Sequence, residues 1–353
     1  MNHSDENHTH PYDVDFVSYQ AGNRLLIIAD AADAAVIATK LVANFQISCV
    51  LQDEGDLAAM HKLLATGVEI LPVASDCEVQ GYLGNFKLLG LKHAVFDQVL
   101  DFRKPPSIRS TISPFGYYTA DRSPDGLSGI ERTHPEMIGE FDKPLYFQQL
   151  PQLCAHNRRG IEGCRQCIDV CATEAITSVD GVIRVDPHLC QGCGDCVTSC
   201  PAGAINYQYP DREFTLSEIK RRLADGPAIL LLYGDDQDPG LTAFPGTLIT
   251  HRLEATGAAG IEVWLCALAY GARQVWLLDD SNLTAETRQV LNEQIAQADA
   301  ILQGLGYPAH LIQFANADNF RVIDFSPVLK PATFAPIAEK RTLTRMAVTH
   351  LIE

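Results

Sequence analysis

The sequence predicts two α/β domains with small parallel sheets that flank a small central α+β unit. Apolar runs typical of buried strands alternate with helical runs before residue 103 and again after residue 210. Between these regions, eight of the eleven cysteines fall within residues 154–200. A chain of 353 residues is long enough for two or three domains, each with its own core.

The central cysteines form two staggered runs. Residues 190–201 read C-x2-C-x2-C-x3-C-P, which is the ligand run of bacterial iron–sulfur proteins. Residues 164–171 read C-x2-C-x3-C and repeat the end of that run, and Cys154 supplies a further thiol. The halves also align beyond the cysteines, because ATEAI follows Cys171 where PAGAI follows Cys200. This internal repeat indicates a pseudo-two-fold unit.

The spacing of the runs predicts two [4Fe–4S] clusters. A cubane cluster needs four thiolates from different directions, and two-residue spacers let one loop bring three of them to one face. The three-residue spacer leads into a helix, so the fourth cysteine serves the other cluster. The predicted ligands of the first cluster are Cys154, Cys164, Cys167 and Cys200. Those of the second cluster are Cys190, Cys193, Cys196 and Cys171.

Zinc and disulfides are the alternatives for these cysteines. Zinc sites of four cysteines come as two C-x2–4-C knuckles with a longer spacer, which fits two staggered runs poorly. Disulfides need an oxidising compartment, and the sequence shows no secretion signal. We therefore expect an iron–sulfur site.

Through these cysteine runs, residues 151–210 resemble the bacterial-type two-cluster ferredoxin family. The resemblance implies a compact βαββαβ-like module with a strand at Val182–Val185, and one-electron transfer as its activity. The full fold prediction is thus two α/β flanking domains with a central α+β ferredoxin-like dicluster module.

The sequence departs from the family pattern at two places. Nine residues, AHNRRGIEG, lie between Cys154 and Cys164 where the simple pattern has two, and alanine follows Cys171 in place of proline. Arg158 and Arg159 in the insertion either raise the potential of the nearby cluster, dock an acidic partner, or form a solvated turn. The insertion makes Cys154 the least certain of the eight ligands.

Residues 24–102 predict the N-terminal α/β domain, preceded by a disordered acidic leader at residues 1–23. RLLIIAD at residues 24–30 reads as a buried strand followed by a helix. DAAD at residues 30–33 has no glycine fingerprint, and its carboxylates would repel a pyrophosphate. We therefore expect no dinucleotide site there.

Residues 103–150 are rich in proline, glycine and serine, and they predict a long connector. A loop of this length usually has a function or wraps a neighbouring unit. We expect its aromatic side chains either to shield a cluster or to pack on the N-terminal domain. They are Phe115, Tyr117, Tyr118, Phe141, Tyr146 and Phe147.

Residues 211–330 predict a second α/β domain, and residues 331–353 predict a C-terminal helix. The first helix of this domain is expected to be capped by Thr215 or Ser217. The segment at residues 260–280 loosely resembles the small domains that link hydrogenases to heterodisulfide reductases. Those domains hold a cluster of their own.

Three cysteines lie outside the two runs. They are Cys49, Cys77 and Cys266, and we interpret Cys49 and Cys77 as buried thiols rather than ligands. Since only one cysteine stands in the C-terminal domain, we do not expect a third cluster there.

The charge of the chain limits its partners. A formal net charge of −17 excludes nucleic acid and anionic membranes as favoured partners, and suits docking to a basic patch on a redox protein. No apolar run approaches the ~18 residues that span a bilayer. The N-terminal residues are polar and acidic, unlike a targeting peptide, so we expect a cytoplasmic protein.

The sequence carries no GxSxG, HExxH, P-loop or GxGxxG motif. The leading hypothesis is therefore an electron-transfer protein that relays single electrons to or from a larger redox enzyme, such as a formate dehydrogenase-like enzyme or another oxidoreductase. The alternative is an oxidoreductase with a flavin or substrate site between its α/β domains. A third hypothesis is a redox sensor whose binding surface changes when a cluster is lost.

Overall fold

The computed structural model describes residues 14–53, 57–73, 76–91, 94–119, 134–156, 163–244, 248–324 and 330–352. Residues 1–13 of the predicted leader and most of the insertion after Cys154, including Arg158 and Arg159, lie outside this description.

The N-terminal domain is built on a five-stranded parallel sheet. Its strand order is β4-β3-β2-β8-β9, with β2 in the centre. The strands are β2 (Arg24–Ala29), β3 (Gln46–Leu51), β4 (Glu69–Ile70), β8 (Gln98–Asp101) and β9 (Tyr117–Thr119). The helices α1 (Ala31–Leu41) and α2 (Leu57–Ala65) provide the crossovers between the first three strands.

The two faces of this sheet are covered differently. Leu25 and Ile27 of β2 face a core that is completed by α1 and α2. Leu26 and Ile28 face the opposite way, toward a three-stranded antiparallel sheet. That sheet consists of β5 (Val79–Gln80), β6 (Phe86–Leu88) and β7 (Val95–Phe96). The continuous apolar run in β2 is explained by burial on both faces.

The structure contains strands in the segments that the sequence predicts to be a disordered leader and a long connector. Strand β1 (Phe16–Ala21) lies within the predicted leader, and it pairs antiparallel with β10 (Gly139–Pro144). Val17, Tyr19 and Ala21 alternate with exposed residues, which is a strand pattern, but the partner strand is more than a hundred residues away in the sequence. Strand β9 also lies in the predicted connector and forms an edge of the N-terminal sheet.

The central unit begins with β11 (Phe147–Gln149), before the predicted boundary at residue 151. Its elements follow in the order β11, α3, β12, β13, α4 and β14, and β11 pairs antiparallel with β14. The later elements are α3 (Gln166–Asp169), β12 (Ile176–Val179), β13 (Val182–Val185), α4 (Asp195–Ser199) and β14 (Ile205–Tyr207). Strands β12 and β13 form an antiparallel hairpin, and β13 has the bounds that the sequence predicts.

The C-terminal domain has a four-stranded parallel sheet of order β16-β15-β17-β18. The strands are β15 (Ile229–Gly234), β16 (Leu248–Leu253), β17 (Gln274–Leu278) and β18 (Ile312–Ala315). The helices are α5 (Arg212–Leu223), α6 (Ile261–Ala269), α7 (Ala285–Gly304) and α8 (Lys340–Ile352). All nine residues of α6 are buried, which accounts for a helix in which Glu262 is the one charged residue.

Two helices of this domain begin at positions that differ from the prediction. Helix α5 starts earlier, because the Asp211 side chain accepts a hydrogen bond of 2.7 Å from the Phe214 amide and caps the helix in place of Thr215 or Ser217. Helix α8 starts at Lys340 rather than near residue 331. The residues before it are tied to the domain by a bond from the Ala332 amide to the Ala269 carbonyl.

None of the helices in the described ranges combines the length and the apolar character that crossing a bilayer requires.

A buried lysine joins helix α8 both to the central unit and to helix α6. Lys340 is 4 % exposed, and its ammonium group donates to the carbonyls of Val197 and Thr198 at 2.9 and 2.8 Å. The same nitrogen lies 3.4 Å from a carboxylate oxygen of Glu262 in α6. Arg212 in α5 is 4.0 Å from the other oxygen. One lysine therefore joins α8, α6 and the end of α4.

Replacing Lys340→Met should lower the free energy of unfolding by about 3–5 kcal/mol, because Glu262 then remains buried without its nearer cation. The double variant Lys340→Met/Glu262→Gln should regain part of this loss. Denaturant unfolding under anaerobic conditions, followed by circular dichroism, measures both.

The control is Arg345→Met, which changes an exposed cation on the same helix and should alter stability by less than about 0.5 kcal/mol. A loss below about 1 kcal/mol for Lys340→Met would contradict the assigned role, since that is the range of surface ion pairs.

Candidate functional site

Four of the eight predicted ligands border a single cavity of about 140 Å³. The four are Cys154, Cys164, Cys167 and Cys200. Cys167 lies in α3, Cys200 follows α4, and Cys154 follows a 3₁₀ turn at Pro151–Leu153. The structure thus brings Cys200, which ends the second run, next to the cysteines of the first run.

The other four thiols form a second group. Burial raises the pKa of Cys196 well above its usual value, and the neighbouring thiols Cys193, Cys190 and Cys171 raise it further. Burial is likewise the main cause of the raised pKa of Cys193, on which Cys190 and Cys171 also act. Cys171, which ends the first run, is therefore grouped with the second run.

The two groups are adjacent to each other. Cys167 of the first group contributes to the raised pKa of Cys196 in the second. Within the first group, burial raises the pKa of Cys167 to about 12, and Cys200, Cys154 and Cys164 add to the rise. The last cysteine of each run thus lies with the other run: Cys200 with the first group and Cys171 with the second. This is the arrangement that the three-residue spacers predict.

These surroundings fit the donor set of an iron–sulfur cluster. Buried thiols that raise one another's pKa keep their protons unless a cation compensates the thiolate charges, and metal-bound thiols are deprotonated outright. The remaining lining of the first cavity is mainly apolar, which keeps water from the sulfurs. Over the described residues, no three or more His, Cys, Asp or Glu side chains are spaced to hold a single metal ion.

Backbone amides point at several of the sulfurs. The Ala204 amide donates to Cys200 Sγ at 3.3 Å. Burial raises the pKa of Cys190, and a hydrogen bond from the Gly192 amide opposes this rise. The Asp195 amide acts in the same way on Cys193. Such bonds to sulfur stabilise the charged ligands, and they are one of the means by which proteins set cluster potentials.

His156 orders the chain beside the first cavity. It is buried, and its Nδ1 lies 2.9 Å from the Cys164 carbonyl, which can only accept a hydrogen bond. Nδ1 therefore donates to this carbonyl, and Nε2 lies 2.7 Å from the Ser178 hydroxyl oxygen. His156 therefore joins Cys164 to the hairpin of β12 and β13.

The loop of the second run fits closely against both flanking regions. Gly192 has φ of +75°, and a side chain on it would meet the Tyr146 ring at 2.7 Å. Gly194 has φ of +84° and lies against the backbone of Gly257 and Ala258 in the C-terminal domain. Glycine is therefore required at both positions for two reasons: the neighbouring atoms leave no room for a side chain, and φ is positive.

A buried lysine and a group of aromatic rings lie beside the second run. Lys143 in β10 donates to the carbonyls of His188, at 3.0 Å, and Cys190. Its nitrogen lies 5.1 Å from the Tyr19 ring centre and 5.7 Å from that of Phe115. Burial lowers the pKa of Lys143 to about 8, while Cys190 and Asp186 oppose the shift.

Asp195 connects the second run to the C-terminal domain. It is 1 % exposed, and its Oδ2 accepts a hydrogen bond of 3.0 Å from the Thr287 hydroxyl in α7. Burial raises the pKa of Asp195 to about 6. The neighbouring Thr198 hydroxyl donates to the Gly257 carbonyl at 2.6 Å. Helix α4 is therefore held in place by the domain that follows it.

A large cleft of about 1360 Å³ separates the N-terminal domain from the central unit. Its N-terminal wall includes Gln52, after β3, and Arg103, after β8. Its other wall includes Glu174, close to Cys171, and Leu189, next to Cys190. The cleft therefore lies at the carboxyl ends of the strands and borders residues adjacent to the second group of thiols.

The three cysteines outside the runs lie apart from both groups. Cys49 and Cys266 are fully buried in the N- and C-terminal cores, and burial raises the pKa of each to about 12. Cys77 is half-buried in the wall of the cleft, with its sulfur 3.9 Å from Arg103 Nη1. None of the eleven cysteines forms a disulfide.

The aromatic side chains of the predicted connector take both of the expected places. Tyr117 is buried in the N-terminal core, where its hydroxyl donates to Asp101 at 2.6 Å. Tyr146 and Phe147 instead pack in the central core with Cys167. Nothing in the sequence indicated Lys143 or Tyr19 as neighbours of Cys190, because both belong to strands whose pairing spans the whole N-terminal domain.

Replacing Gly192→Ala should reduce the iron retained at the second run, because the new methyl group meets Tyr146 and the positive φ adds about 1–2 kcal/mol of strain. Iron analysis of the anaerobically purified variant measures this.

The matched control is Gly67→Ala, where φ is +80° but nothing lies within 4 Å of the added methyl group. This control should lose about 1–2 kcal/mol of stability and keep its iron. Equal iron contents in the two variants would show that the contact with Tyr146 is unimportant for the cluster.

A family model described as a 4Fe-4S binding domain matches residues 182–205, which contain the whole second run. Protein NrfC of Escherichia coli (strain K12) is 33% identical over 85 residues, which cover 23% of this chain and 34% of NrfC. Formate hydrogenlyase subunit 2 of the same organism is 39% identical over 62 residues, 17% of this chain and 27% of that protein.

An archaeal protein is similar over a comparable length. The Hdr-like menaquinol oxidoreductase iron-sulfur subunit 1 of Archaeoglobus fulgidus is 34% identical over 73 residues, which are 20% of this chain and 24% of that subunit. The chain thus spans about a third or less of the length of these curated relatives.

The match of the family model to the second run confirms the prediction that the sequence makes for this segment. This chain therefore carries a 4Fe-4S binding segment of the ferredoxin type.

Proposed function

We propose that this protein transfers single electrons through two [4Fe–4S] clusters, held by the two groups of thiols. The observation that carries the proposal is the exchange of the fourth cysteine between the runs. Cys200 borders the cavity of Cys154, Cys164 and Cys167, and Cys171 acts on the thiols of the second run. This is the pairing expected of two-cluster ferredoxins.

The element order of the central unit supports the same proposal. A strand, a short helix, a hairpin, a second short helix and a final strand follow one another from β11 to β14. Each short helix contributes a cysteine to one group and is followed by a cysteine of the other. We accordingly assign the central unit to a ferredoxin-like dicluster module.

The bound clusters would supply the one-electron chemistry, and the residues of the chain would control it. Apolar side chains around the first cavity exclude water, while the amides of Gly192, Asp195 and Ala204 stabilise the charged sulfurs. The adjacency of Cys167 and Cys196 keeps the path between the two groups short.

A larger oxidoreductase is the proposed redox partner. Two of the relatives are, by their names, subunits of a formate hydrogenlyase and of an Hdr-like menaquinol oxidoreductase. A formate dehydrogenase-like enzyme or another oxidoreductase with a basic docking patch would suit the net charge of −17.

The large cleft favours a second candidate function, an oxidoreductase that binds a flavin or a substrate. In open α/β sheets, ligands bind at the carboxyl ends of the strands, where this cleft lies. The cleft differs from the predicted site in its position, because it separates the N-terminal domain from the central unit rather than the two α/β domains.

Anaerobic purification followed by iron, sulfide and flavin analysis tests both candidates. We expect about eight irons and eight sulfides per chain, no flavin, and interacting spin-half signals in the dithionite-reduced protein. About four irons would contradict the two-cluster proposal, and zinc without sulfide would exclude it. Stoichiometric flavin would favour the second candidate.

Single substitutions test the exchanged pairing. Cys200→Ala should lose about four irons and the same EPR midpoint potential that Cys164→Ala loses, although Cys200 belongs to the second run, because both remove a ligand of the first cluster. If Cys200→Ala instead lost the potential that Cys190→Ala loses, the exchanged pairing would be wrong. The matched control is Cys266→Ala, which removes a buried thiol from the C-terminal core and should keep all of the iron.

A further inference from the structure

We propose that Lys143 is the buried counter-charge of the second cluster and raises its reduction potential. The inference rests on the proposed function, because it requires a cluster at Cys190, Cys193, Cys196 and Cys171. It assigns a role to a residue that lies far from the cysteine runs in the sequence.

The position of Lys143 is fixed from several sides. Its side chain extends from β10 and is 9 % exposed. Its ammonium group donates to the carbonyl of Cys190, a predicted ligand, and to that of His188. The Tyr19 hydroxyl donates to the same His188 carbonyl at 2.5 Å. The charge is thus held against the backbone of the loop that begins the second run.

Aromatic rings enclose this ammonium group. Tyr19 and Phe115 lie within cation–π distance of it, and their rings meet edge to face with centres 6.2 Å apart. Tyr82 also meets the Tyr19 ring edge to face, with centres 6.1 Å apart, and stacks on His188 at 4.1 Å. Water therefore has little access to the charge, so its field acts on the loop with little screening.

Among the described residues, no carboxylate lies within ion-pair distance of Lys143. Asp186 attracts it from farther away, but its side chain is 42% exposed and accepts a hydrogen bond from the His188 amide. The other buried lysine, Lys340, is paired with Glu262. Burying a cation without an anion is unfavourable, which indicates that the anion is the cluster with its four thiolates.

The effect on potential follows from charge. An oxidised [4Fe–4S] site with four thiolates carries about −2, and one added electron makes it about −3 without forming or breaking a bond. A fixed cation stabilises the more negative state more strongly, so it favours reduction. The electron comes from a reduced partner protein or, in the experiment, from dithionite.

The lining of the first cavity contains no lysine or arginine among the described residues. Because Lys143 donates to the Cys190 carbonyl and is not among the residues that line the first cavity, it should act mainly on the second cluster. Loss of its charge should make that cluster about tenfold harder to reduce, which is about 59 mV for a one-electron couple.

The experiment is a redox titration of the holoprotein, monitored by EPR, with Lys143→Met and Lys143→Gln. The glutamine variant keeps a donor for the two carbonyls and removes only the charge. We expect one of the two midpoint potentials to fall by about 59 mV in both variants, while the other changes far less.

Lys220→Gln is the matched control. Lys220 also donates to two carbonyls, of Thr333 and Phe334 at 3.0 and 2.8 Å, and lies 5.1 Å from the Tyr270 ring centre, but in the C-terminal domain. This substitution should leave both potentials unchanged.

Two results would overturn the assignment of Lys143: unchanged potentials in its variants, or loss of about four irons from Lys143→Gln. The second result would show a role in cluster retention instead. Failure of the two-cluster proposal is recognised separately. The unmodified protein would then contain fewer than about eight irons, or it would show only one midpoint potential.

Discussion

The three-residue spacers before Cys171 and Cys200 impose the constraint on which the rest of the structure depends. Each spacer leads the chain into a short helix, α3 or α4, so that the last cysteine leaves its own run and joins the other. The two runs therefore interlock, and neither group of thiols is complete without the other half of the unit. The hairpin of β12 and β13 and the pairing of β11 with β14 then close this arrangement.

Loops that wrap around a cluster have little regular structure, and here residues of the central core and of the C-terminal domain hold them in place. Tyr146 lies against Gly192 on one side, and the backbone at Gly257 lies against Gly194 on the other. Two buried lysines add polar contacts. Lys143 of β10 donates to the Cys190 carbonyl at the start of the second run, and Lys340 of α8 donates to the Val197 and Thr198 carbonyls at the end of α4. The α/β domains thus act as supports of the iron–sulfur unit rather than as separate attachments.

The two α/β domains use the carboxyl ends of their strands differently. In the C-terminal domain, Gln237 fills this edge, where it accepts from the Gly234 amide and the Thr256 hydroxyl and donates to Asp280. Helix α4 covers the adjoining region through Asp195 and Thr287. In the N-terminal domain the same edge opens into the large cleft. Among the described residues, the space that an open α/β sheet offers to a ligand is therefore found on the side of the N-terminal domain.

The sequence by itself determined the features that depend on local spacing. The cysteine runs predicted a [4Fe–4S] site and the placement of Cys171 and Cys200 beside the opposite runs, and the apolar run at β2 with its following helix indicated an α/β domain, because ligand spacing and periodicity are local properties. Only the tertiary structure decided that β1 and β9 join sheets and that Lys143 reaches Cys190. These contacts join residues that are distant in the chain. The sequences of the short strands β1 and β9 do not indicate which strand each one pairs with.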